Sequence, residues 1–200
     1  MTHIVLLGDS IFDNAPYVPA GMAVVDHLRA CLAPHDRVTL LARDGSVLDD
    51  VAAQLPGLAA LPEPPTRLVL SCGGNDVLGL LGAMHGPVAT VLEAVELLAG
   101  WQRDFRDAYR RMLDAVQATG VPLAVSTIYE AVPGLTAGLR VALGVFNDVI
   151  LREAALRGLP LLDLRLVCTE PQDYAACSPI EPSVQGGRKI AQALAALPMR

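Results

Sequence analysis

Five short apolar runs, at residues 4–7, 38–42, 67–71, 123–127 and 161–164, are spread along this chain with longer segments between them. Most are near-continuous in Val, Leu and Ile and do not alternate with polar residues. That pattern suits strands covered on both faces, as in a parallel sheet. The intervening and final segments read as helices at 22–32, 47–55, 88–118, 139–156 and 184–197, the third with an expected interruption at Gly100. In that third segment Phe105, Tyr109, Met112 and Val116 recur at helical spacing. They read as core packing, and the arginines and aspartates opposite them as a solvated face. Strand alternating with helix implies a layered α/β domain with right-handed crossovers. With 200 residues and 52% hydrophobic content, one well-buried core is expected, so residues 1–200 read as a single domain. The proline-rich stretch 56–65 is a surface connection too short to divide it.

In open α/β sheets, ligands bind outside the carboxyl ends of the strands. Ser10 follows the first apolar run, Gly45 the second and Gly73-Gly74-Asn75-Asp76 the third. Tyr129-Glu130 follow the fourth, and Arg165 begins the long loop after the fifth. Segments distant in sequence are therefore expected to meet at one edge of the sheet.

Gly8-Asp9-Ser10, Gly45, Gly73-Gly74-Asn75-Asp76 and Ser178-Pro179-Ile180-Glu181-Pro182-Ser183, in that order and at those distances, resemble the SGNH (GDSL) family of serine esterases. The resemblance covers almost the whole chain. It implies a three-layer α/β/α domain with a five-stranded parallel sheet in flavodoxin-like order, 2-1-3-4-5. It also implies Ser10 as nucleophile, with an oxyanion hole made by the Ser10 N–H, the Gly45 N–H and the Asn75 side-chain amide. The residue chemistry agrees: glycine lets backbone approach a ligand closely, and a short asparagine side chain carries two N–H donors.

One position breaks the pattern. Where the family closes with Asp-x-x-His, this chain has Ser178-x-x-Glu181. A serine hydroxyl needs a base, and carboxylates can act as one. Unperturbed Glu, however, titrates about 2 units below His. Burial beside Ile180 and Pro182 would raise its pKa and recover part of the difference. Glu181 is the candidate base and Ser178 a candidate hydrogen-bond donor to it, although that bond would favour the charged form. Of the four histidines, only His85 falls in a loop on the catalytic edge, and it is the alternative base. A site with no base at all is the third possibility. Asp9, Asp13, Asn14 and Asp76 are candidate substrate contacts, with Asp13-Asn14 also read as a turn. The apolar run Val77, Leu78, Leu80, Leu81 and Met84, with glycines at 79 and 82, is either a pocket wall, a lid or ordinary packing.

A net charge of −6, with 15 scattered basic residues against 21 acidic ones, argues against nucleic acid or an anionic membrane as partner. The start of the chain lacks a signal-peptide pattern, and no apolar run is long enough to span a membrane. A cytoplasmic location is the expectation. The four cysteines lack metal-site spacing, so neither a metal nor an organic cofactor is implied. Cys168 and Cys177, close together in the late loop, are expected to stay free thiols in a reducing compartment. The leading reading is an ester or thioester hydrolase acting on a small-molecule substrate through Ser10. The alternative is a non-catalytic binding protein on the same scaffold. A nucleotide binder is disfavoured because the first loop lacks phosphate-cradling glycine spacing.

Overall fold

A computed structural model describes residues 1–198 of the chain. Five strands form one parallel sheet: β1 (His3–Gly8), β2 (Arg37–Leu40), β3 (Arg67–Ser71), β4 (Leu123–Ser126) and β5 (Leu161–Leu162). Their order is β2-β1-β3-β4-β5, as the resemblance implied. Seven α-helices accompany them among the described residues: α1 (Val24–Cys31), α2 (Pro56–Ala59), α3 (Gly74–Gly79), α4 (Leu81–Met84), α5 (Val91–Gln117), α6 (Ala137–Arg157) and α7 (Val184–Ala196). The expected second helix is instead a 3₁₀ segment, Leu48–Gln54.

Strand periodicity divides the core. On β1, Ile4 and Leu6 join a cluster with Val24, Leu28, Ile190 and Leu194 from α1 and α7. Val5 and Leu7 point the other way, into a cluster with Phe105, Tyr109, Phe146 and Ile150 from α5 and α6. Both faces of the sheet are thus covered, which explains the near-continuous apolar runs.

Two sequence expectations change. Helix α5 runs through Gly100 unbroken for 27 residues, because the packing of Phe105, Tyr109, Met112, Leu113 and Val116 outweighs a glycine cost of about 1 kcal/mol. The late segment 168–182 is more than a loop. Two short antiparallel strands, β6 (Tyr174–Ala175) and β7 (Ser178–Pro182), form a hairpin in it, outside the main sheet. Directly after β7, the Ser183 hydroxyl accepts from the N–H groups of Gln185 and Gly186 and starts α7. Cys168 is buried, Cys177 is exposed, and both are free thiols.

Candidate active site

The turn bearing Ser10 is held from two sides. Gly8 has φ +116°, and a β-carbon there would stand 1.7 Å from the Ser71 carbonyl oxygen, so only glycine fits. That close approach lets the Asp9 N–H donate to Ser71 O at 3.0 Å. From the other side the buried Gln54 amide grips Gly8, donating to its carbonyl at 2.7 Å and accepting from its N–H at 2.8 Å. The same amide donates to the Ser46 hydroxyl at 3.3 Å, tying the Gly45-Ser46 turn to the Ser10 turn.

Glu181 arrives on β7, and two buried side chains fix its neighbours. The Tyr129 hydroxyl donates to the Ile180 carbonyl, and its ring meets Tyr174 edge-on at 5.0 Å. Asn14, with no exposed surface, donates to Pro182 O at 3.0 Å and accepts from the Val24 N–H at 2.9 Å. Asn14 therefore bolts the segment after Ser10 to the segment after Glu181.

The Glu181 carboxyl is only 4% exposed, and its Oε2 atom is buried without a partner among the described residues. The Ser10 hydroxyl approaches it, although no well-formed hydrogen bond joins the two. Burial pushes the Glu181 pKa up to about 7 against the pull of Ser10, and the negative charge of Asp44 adds to the rise. Two further carboxyls share the neighbourhood. Burial, reinforced by Glu181 and Asp76, raises Asp9 to about 8 although the Ile11 N–H donates to it. Burial raises Asp76 to about 6 despite a hydrogen bond from the Leu48 N–H at 3.1 Å.

Donors stand unused beside these acids. Asn75 spends one amide N–H on Ser46 O at 2.9 Å and keeps the second. Among the described residues, the N–H groups of Ser10 and Gly45 have no protein acceptor. Gly45 sits in an exposed turn with φ +78°, outside the walls of the neighbouring cavity.

That cavity, about 250 Å³, opens beside Asp9, Ser10, Asn75 and Glu181. The apolar run after Asn75 is one of its walls: Val77, Leu78, Leu81 and Met84 line it from α3 and α4. Other expected residues lie elsewhere. His85 is exposed at the end of α4 and does not border the cavity. Ser178 makes no hydrogen bond to Glu181, because residues three apart in an extended strand face opposite sides. Asn14 is fully buried and spends both ends of its amide on backbone groups, so it is a clamp, not a contact for substrate. Asp13 accepts from the Asp44 N–H at 2.9 Å and Asp76 from Leu48, and neither borders the cavity.

Gln54 and the clamping roles of Tyr129 and Asn14 escaped sequence reasoning. No group of residues among those described is arranged to hold a metal ion. No helix among them is long and apolar enough to cross a membrane.

A model described as the GDSL-like lipase/acylhydrolase family matches residues 6–189. No curated protein matches the chain by sequence. Many solved structures share the fold. A lipase from a goat rumen metagenome superposes with TM-score 0.76 at 15% identity, covering 98% of each chain. A member of the lipolytic G-D-S-L family from Veillonella parvula does so with TM-score 0.72 at 17% identity, covering 96% of each. An extracellular lipase from Streptomyces rimosus gives TM-score 0.69 at 17% identity, covering 99% of this chain and all of that one.

Proposed function

The chain belongs to the GDSL-like lipase/acylhydrolase family, and from that premise we propose that it is a serine esterase in which Glu181 replaces the usual histidine base. The observation that carries the reading is a buried carboxyl beside the Ser10 hydroxyl, with Oε2 free of any partner among the described residues and its pKa pushed up by burial to about 7. That value closes the gap between an ordinary glutamate and a histidine, so proton abstraction near neutral pH needs no imidazole.

In this mechanism Glu181 takes the Ser10 proton as Oγ attacks the carbonyl carbon of a small or medium carboxylic ester or thioester. The carbonyl oxygen becomes an oxyanion, stabilised by the free N–H groups of Ser10, Gly45 and Asn75. Protonated Glu181 then returns its proton to the leaving alkoxide or thiolate as the carbonyl re-forms, giving an acyl-Ser10 intermediate. Water, deprotonated by Glu181, then attacks that ester, and as the acid leaves, Glu181 returns the proton to the departing Ser10 Oγ. Gln54, Asn14 and Tyr129 hold the participating segments in register and touch no reacting atom.

Hydrolysis of 4-nitrophenyl acetate and butyrate by the purified protein tests this, together with labelling by a serine-directed fluorophosphonate. Turnover and labelling should both vanish in Ser10→Ala. Glu181→Gln should lose at least a hundredfold in rate, whereas His85→Ala should stay within twofold. No turnover above buffer and no labelling would leave only a binding role for the scaffold.

A further inference from the structure

The cavity is polar only at its reacting end. Beyond Asp9, Ser10, Asn75 and Glu181, its walls are hydrocarbon side chains and backbone, with Leu81 and Met84 on one side and Leu139 and Leu143 on the other. Among the described residues, no lysine, arginine or histidine borders it. The only other polar side chain in the lining, Tyr129, spends its hydroxyl on the Ile180 carbonyl. A sugar or polyhydroxylated acid placed here would lose its water and find no partners, which is costly for every buried polar group. A phosphorylated or carboxylated substrate would meet the Asp9 and Glu181 carboxyls and, among the described residues, no cation. The walls therefore suit a neutral, unfunctionalised chain.

Its length follows from volume. An apolar cavity of about 150 Å³ holds one benzene, six carbons. By the same proportion, the 250 Å³ found here holds about ten. Leu78 and Ile180, both in the lining and each more than a third exposed, form an apolar rim where a chain leaves for solvent.

We propose that this cavity is an acyl-chain site that selects neutral esters of unbranched acids of about eight to ten carbons, over acetyl esters and over long-chain esters. This specificity rests on the esterase reading above, since it assigns the chain to the acyl side of the bond cleaved at Ser10. Each methylene that enters an apolar wall contributes about a two- to fourfold gain in kcat/KM, until the cavity is full.

A series of 4-nitrophenyl esters from acetyl to hexadecanoyl tests the site, because only the acyl length varies. The expected profile rises at least tenfold from acetyl to octanoyl or decanoyl and falls at hexadecanoyl. Leu139→Trp, at a half-buried wall position, should lower the octanoyl-to-acetyl ratio at least tenfold. A flat profile, a maximum at acetyl, or a preference that follows alcohol length instead would overturn the assignment while leaving the esterase reading intact. An independent readout uses Ser10→Ala, in which methyl octanoate should raise the melting temperature and methyl acetate at equal concentration should not. Adding Leu139→Trp should abolish that shift. Octanoate-ester binding without any turnover in the wild-type protein would sink the hydrolase reading and keep the chain site. No shift with methyl octanoate would overturn the site itself.

Discussion

Replacing Glu181 by glutamine should make the protein less active and more stable at once, and the second effect can be sized. Glu181 has its pKa raised from 4.5 to about 7 on folding. Because the folded value lies above the unfolded one, the native state disfavours the charged form. Below pH 4.5 both states are protonated and there is no penalty. The penalty grows as pH rises from 4.5 to 7 and is constant above that. At about 1.4 kcal/mol per pKa unit it reaches about 3 kcal/mol at pH 8.5 and less than about 1 kcal/mol at pH 5. Since the group is only 4% exposed, solvent screening removes little of this. Glutamine has nearly the same shape and no charge, so Glu181→Gln should relieve the penalty. Urea or thermal unfolding of both proteins at pH 5 and pH 8.5 measures the effect. A gain of about 3 kcal/mol corresponds to roughly 6–12 °C in Tm at the higher pH for a chain of this size. The comparison between the two pH values cancels any packing difference of the amide itself. Equal stability changes at both would refute the reasoning, because they would mean that the carboxyl is not desolvated.

Activity of the wild-type protein should rise through about pH 7 as Glu181 loses its proton, and an acid limb near pH 4.5 in kcat/KM would contradict a buried base. That limb falls where a histidine would also titrate, so variants at 181 and 85, and not the pH profile alone, identify the base. Asp9→Asn should stabilise the fold at pH 9 more than at pH 5, read by the same unfolding assay, because burial holds the native Asp9 pKa at about 8. Asn75→Ala should lower kcat by about a hundred- to a thousandfold with little change in KM, as expected for a donor that acts mainly on the oxyanion. Asn14→Ala, which leaves Pro182 O and the Val24 N–H without their partner, should cost about 2–4 kcal/mol of stability by denaturant titration.

The sheet was legible because most of its strands are near-continuous apolar runs, and its order followed from the family resemblance. The serine turn and the Asn75 loop could be expected at the cavity because each follows closely on a strand, whereas Gly45, five residues past β2, lies in a turn outside the cavity walls. The surroundings of Glu181 were not. Strands β6 and β7 are short, and Pro179 and Pro182 obscure any alternation. Read as a spacing alone, Ser178-x-x-Glu181 suggests two residues that meet, and only extended backbone shows that they face apart. Gln54 and Asn14 were hidden for another reason. Their partners are backbone groups 46 and 168 residues away, and no local pattern announces a long-range clamp. The stretch from Val77 to Met84 offered wall, lid and packing equally, since composition cannot distinguish them until the neighbouring loop is in place.

The span from Asn14 to Pro182 carries a consequence for biosynthesis. A ribosome delivers the serine-bearing turn well before the acid-bearing hairpin. Partial chains ending before the hairpin carry all five strands of the main sheet yet lack the final latch, and contacts between such remote segments form slowly. Chains halted there would expose the still-uncovered hydrocarbon of β1 that α7 normally shelters. Quality-control factors that sense exposed greasy surface would thus meet the unfinished protein before it acquired any chemistry.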